Sequence, residues 1–106
     1  MMSKPGGLAL MLLLLPLSAC TWVPLTDEGS HVQLRTLDQV EGCERKSRVT
    51  VSVKDKIGAI SRSDEKVREE LRTLARNEAA RIGGNVVVAE TEPTDGHQVF
   101  VVYRCP

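Results

Sequence analysis

The sequence predicts an α+β domain in which a four-stranded sheet packs one face against a single helix, in the order strand, strand, helix, strand, strand. Three observations lead there. Residues 48–54 alternate strictly, with Val49, Val51 and Val53 on one side and polar groups on the other, as a half-buried strand requires. Residues 64–82 carry an apolar face at helical spacing, opened by Ser63 or Asp64 as a cap and closed by Gly83. Two apolar runs, 85–89 and 98–103, flank the Asp95-Gly96 turn signal and read as a hairpin.

The remaining elements follow from the same rules. Residues 31–35 alternate polar and apolar and make the first short strand. A turn is expected around Gly42, and residues 54–62 read as a loop with Ile57 and Ile60 available to lie on the domain. At about 100° per residue with Val67 at zero, Leu74 falls near about −20°, Leu71 near about 40°, Ala75 near about 80° and Ala79 near about 120°, an apolar face. Glu78 lands near about 20°, within that face. A carboxylate there needs a partner, either a structural ion pair, for which Arg48, Arg35 and Arg104 are candidates, or a hydrogen bond to backbone; a general acid or base is the sharper alternative. Arg68, Arg72 and Arg76 recur every four residues and form a basic stripe beside the apolar face, the place for an anionic partner if the neighbouring Glu65, Glu69 and Glu70 do not neutralise it. In Gly83-Gly84-Asn85, one glycine is expected to take positive φ, the other to allow a close backbone turn, and Asn85 to bond local backbone groups. The last two strands are apolar on both faces, yet one helix covers only one. The second face must be covered by the 54–62 loop, by the N-terminal segment or by another molecule.

The N-terminus sets the compartment. Lys4 precedes an apolar stretch of about a dozen residues, against the roughly 20 needed to span a bilayer. A signal peptide over residues 1–19 is expected, in preference to a buried N-terminal helix. Leu17-Ser18-Ala19-Cys20 resembles the lipobox of bacterial lipoproteins, whose cysteine receives diacylglycerol and becomes the acylated N-terminus after cleavage. That resemblance implies lipidation at Cys20; residues 20–30, with Pro24, Gly29 and acidic residues but no periodicity, read as a tether, and residues 31–106 as a periplasmic domain. Thr21 follows in place of Asp, which in the sorting rule of the resembling proteins favours the outer membrane. Trp22 is expected to lie at the membrane interface. With Cys20 assigned to lipid, Cys43 and Cys105 remain as a pair in an oxidising compartment. A disulfide closing a loop of about 62 residues stabilises by roughly 4 kcal/mol through the unfolded state. A zinc site from Cys43, Cys105, His31 and His97 lacks the usual ligand spacing.

Gly42-Cys43, the helix end running from Leu74 through Glu78 into Gly83-Gly84-Asn85, and Tyr103-Arg104-Cys105 together resemble the YjeI-like lipoproteins, a bacterial family of unknown function. The helix end is also similar to the domain of RcsF, an outer-membrane lipoprotein that senses envelope stress. That domain carries more cysteines and a longer linker, so its signalling partners do not transfer to a chain with one cysteine pair.

Composition narrows the function further. Fourteen basic residues balance fourteen acidic ones, which leaves no electrostatic footprint for nucleic acid. Trp22, Phe100 and Tyr103 are the only aromatic residues, too few for stacking platforms. No nucleophile elbow, H-E-x-x-H or Ser/His/Asp set is visible, and His31 and His97 read as surface residues beside turns. The expectation is a non-catalytic, lipid-anchored envelope protein without a cofactor, which binds or monitors an envelope protein or lipopolysaccharide; the alternative is a small-molecule or metal-binding module.

Overall fold

A computed structural model describes residues 23–54, 56–57 and 60–106. The expected signal peptide, the lipobox with Cys20, and Trp22 lie outside the described residues. The rest folds as the expected α+β domain. Strand β1 (Gln33–Arg35), β2 (Glu44–Ser52), β3 (Lys56–Ile57), β4 (Ile60–Ser61), helix α1 (Asp64–Arg81), β5 (Val86–Ala89) and β6 (His97–Arg104) follow in order. The four-stranded sheet runs β1-β5-β6-β2. It is mixed, since β1 pairs parallel with β5 while β5 with β6 and β6 with β2 are antiparallel. Residues 54–62, expected as a loop, instead contain a small separate hairpin of β3 and β4.

Local chemistry explains most of these boundaries. Ser63 caps α1 by accepting a hydrogen bond from the Lys66 amide, and Asp64 and Glu65 at the first turn with Arg81 at the last complement the helix dipole. Gly83 ends the helix at φ +89°, the left-handed conformation that a Cβ disfavours. Gly84 is needed for a different reason: a Cβ there would collide with the Val102 side chain and lie 3.0 Å from the Tyr103 carbonyl. Asp95 and Gly96, at φ 50° and 77°, form the two-residue turn of the β5–β6 hairpin, closed by reciprocal Thr94 and His97 backbone bonds.

Two apolar clusters lie on opposite faces of the sheet. Val67, Leu71, Ala75 and Ala79 of α1 pack on Val51, Val87, Phe100 and Val102. On the other face Val86, Val88, Val101 and Tyr103 are buried beneath Val40 and the Cys43–Cys105 disulfide. This corrects one expectation. The second face is closed by the segment leading from the Leu37–Gln39 3-10 turn into β2, so the described residues leave no bare apolar sheet there for another molecule. The bond that closes it is fixed further at Asn85, whose side chain donates to the Cys105 carbonyl and accepts from the Cys105 amide. Asn85 thus bonds backbone twenty residues away and not the local groups expected.

The N-terminal segment is also more ordered than a tether. Asn77 Oδ1 accepts from the Thr26 amide at 2.9 Å and from its hydroxyl at 3.1 Å, while Asn77 Nδ2 donates to the Pro24 carbonyl. Arg76 donates to the carbonyls of Val32 and Ser30. Gly29 passes so close to Asn77 that a Cβ would strike its side-chain oxygen. Residues 24–32 are therefore latched along α1.

Candidate functional site

The three arginines singled out by their spacing have three different environments. Arg76 is committed to the latch. Arg68 reaches Glu92 Oε1 with both terminal nitrogens at 3.4 Å, a long pair on a carboxylate whose side chain is 84% exposed. Arg72 is exposed and forms no hydrogen bond or ion pair among the described residues. The stripe is thus not one continuous basic surface. Its N-terminal two members instead border a cleft.

That cleft holds about 390 Å³ between the N-terminal half of α1, the end of β1 and the start of the β5–β6 connection. Its apolar walls include Leu34 and Leu37, which are 43% and 68% exposed and are two of the three large hydrophobic residues left open to solvent among the described residues. Leu37 is presented by a stiff turn. Thr36 and Gln39 form a capping box around the 3-10 turn, with the Thr36 amide donating to Gln39 Oε1 at 3.0 Å. Arg35, held by Gln33 Oε1, also lines the cleft. Deeper in the lining are Phe100 and Gln98, the latter only 4% exposed. Gln98 Nε2 donates to the Thr91 carbonyl at 2.7 Å, and Oε1 is the buried side-chain atom without a partner among the described residues. Buried acceptors are nearly always satisfied by protein or ordered water, so this oxygen has acceptor capacity open to a donor.

Leu34, Leu37, Glu92 and Gln98 escaped the sequence reading. The available signal was Gln98, which shares the inward side of its strand with Phe100 and Val102 and so breaks an otherwise apolar line.

Glu78 does have a structural partner, but it is Arg81 one turn on and not Arg48, Arg35 or Arg104. Hydrogen bonding to Arg81 holds the Glu78 carboxyl below the ordinary carboxylate range, and the same bond raises the guanidinium. A general acid needs the opposite shift. The carboxylate that is buried in α1 is Glu70, which takes two bonds from Arg62 at 3.1 and 2.5 Å while Arg62 also donates to the Lys54 carbonyl. The bond to Glu70 raises the Arg62 guanidinium. This ion pair staples the β3–β4 hairpin region to the helix.

Two sets of side chains bear on other chemistry. Ser52 Oγ lies 2.6 Å from His97 Nδ1 across β2 and β6, on an exposed rim where no third residue orients the imidazole among the described residues. Cys43 and Cys105, needed for the zinc alternative, are bonded to each other. No cluster of three or more metal-ligating side chains occurs among the described residues.

A family model matches residues 23–105 and is described as a domain of unknown function, DUF4156. The chain belongs to the DUF4156 family. The matched span runs across the Pro24 end of the latch, both disulfide cysteines and every residue of the cleft. The DUF4156 description assigns no activity, and no curated protein and no solved structure matches the chain.

Proposed function

We propose that this chain is a non-catalytic lipoprotein of a Gram-negative envelope, anchored through Cys20 in the outer membrane, facing the periplasm, and binding or monitoring another envelope component. The observation that carries the anchor is the cysteine count. Cys43 and Cys105 are joined to each other, which leaves one thiol, and that thiol sits directly behind a leader-like apolar stretch in Leu17-Ser18-Ala19-Cys20. A disulfide also suits an exported protein better than a cytosolic one. The likeness to YjeI-like lipoproteins, and the more distant one to the RcsF domain, point the same way.

Intact-mass spectrometry of the protein purified from membranes tests the anchor. The expected species begins at Cys20 and carries three acyl chains. A full-length precursor without added mass, or two freely alkylatable thiols, overturns the proposal. Cys20→Ala is expected to abolish the lipid and the cleavage, and density-gradient fractionation separates outer from inner membrane.

A second reading, a small-molecule module, is favoured by the cleft at Leu34 and Leu37. Calorimetric titration with zinc and copper addresses its metal-binding form: a stoichiometric heat would replace the non-catalytic envelope reading with a metal site.

A further inference from the structure

We infer that the cleft beside Arg68 and Arg72 receives the carboxyl-terminal end of a peptide chain whose last residues are apolar. The inference rests on the reading of this protein as a binding module and is independent of the lipid.

Three features of the cleft select this chemistry together. Arg68 and Arg72 stand one helical turn apart on the same side of α1. Arg72 is unpaired among the described residues, and Glu92 holds Arg68 only at 3.4 Å from a mostly exposed position. An incoming carboxylate can displace Glu92 and take hydrogen bonds from both guanidinium groups, the strongest polar contact open to them. Beside that anion site, Leu34, Leu37 and Ala89 offer an apolar wall. A phosphate or other compact anion would leave that wall in water.

Gln98 separates the remaining candidates. Its Oε1 is buried without a donor. A free aliphatic acid brings the charge and the apolar body but no hydrogen-bond donor, whereas a peptide end brings a carboxylate, an apolar side chain and a backbone N–H. The volume of about 390 Å³ lies at the small end of ligand sites, about 300–1,000 Å³, which suits roughly the last two residues of a chain.

The test uses the full-length protein in a zwitterionic detergent, titrated by calorimetry with three probes: acetyl-Ala-Val-Leu as the free acid, the same peptide as its carboxamide, and hexanoate. The free acid is expected to bind, and the carboxamide to bind roughly tenfold more weakly, as loss of a charge-assisted bond implies. Hexanoate is expected to be weaker than the free acid. Arg72→Gln should weaken the free acid by a similar factor, Leu37→Ser should weaken acid and carboxamide alike, and Glu92→Gln should tighten the acid by removing its competitor for Arg68. All three positions are exposed or unpaired enough to change without loss of fold, which thermal melts verify.

Equal binding of acid and carboxamide, or an Arg72→Gln protein that binds as before, overturns the inference while leaving a ligand site in place. Hexanoate binding as tightly as the peptide overturns it in favour of aliphatic acids. Failure of every probe overturns it outright. The mass of the same preparation reports on the anchor separately, so loss of one proposal is not mistaken for loss of the other.

Discussion

Replacing both bonded cysteines, Cys43→Ser with Cys105→Ser, removes a crosslink across a sequence separation of 62 residues. In the chain-entropy description the unfolded state then regains about 14 cal/mol/K, which lowers stability by about 4 kcal/mol at 25 °C. A domain of this size has only about 5–15 kcal/mol in total. The expected fall in melting temperature is on the order of 20 °C. The site of the damage is also specified. The disulfide holds the Val40 segment over Val86, Val88, Val101 and Tyr103, so its removal should loosen that face before the one under α1. Urea denaturation of the double variant and the parent, both without reductant, gives the free energy; binding of a hydrophobic dye in the native baseline reads the second face. A loss below about 1 kcal/mol would refute the loop-entropy reasoning. A full loss without any dye binding would keep the entropy and refute the lid.

Three further outcomes are expected. Gly84→Ala should cost about 1–3 kcal/mol or more through overpacking against Val102 and Tyr103, and should exceed Gly83→Ala, where only a left-handed backbone is strained at about 1–2 kcal/mol; paired urea melts giving the reverse order would contradict the packing at Gly84. Because Arg81 lowers the folded-state pKa of Glu78, that carboxylate contributes stability fully above the ordinary carboxylate value of about 4.3, and the contribution disappears as pH falls through the lower folded value; the gap in melting temperature between Glu78→Gln and parent should therefore close in acid, and a gap that widens would be contrary. Asn77→Ala deletes three hydrogen bonds to Thr26 and Pro24, about 1–3 kcal/mol in total for partly exposed bonds, and limited proteolysis should then cut residues 24–30 while sparing the sheet.

Much of the fold was legible because its signals are local. The Val49 and Val51 alternation, the Ser63 cap, Gly83 past the helix end and the Asp95-Gly96 turn each act within a few residues and each marks its element. Pairing is not local. Nothing in the three residues of β1 states that they run parallel to β5, since side-chain period gives a buried face and not a neighbour. The Glu78 reading failed for a geometric reason. The buried line on α1 is Val67, Leu71, Ala75, Ala79, a row of i+4 steps inclined to the helix axis. By the last turns that row has rotated away from Glu78, which a single mean direction for the whole helix conceals. Glu70 was missed for a different reason, because its cover comes from Arg62 outside the helix. The cleft is assembled from β1, α1 and β6, elements far apart in the chain, so only Gln98 carried a trace of it.

The fastening of Thr26 and Pro24 to Asn77 determines how much leash is left. If Cys20 carries the proposed lipid, four residue steps separate it from the pinned Pro24, spanning at most about 14 Å when drawn straight. On the anchoring proposed above, a protein held so short would stay close to the leaflet that carries it and would not reach the opposite membrane. On that same proposal, whatever meets its cleft would come to the bilayer surface, either as a neighbour embedded in the same sheet of lipid or as a chain that ends there.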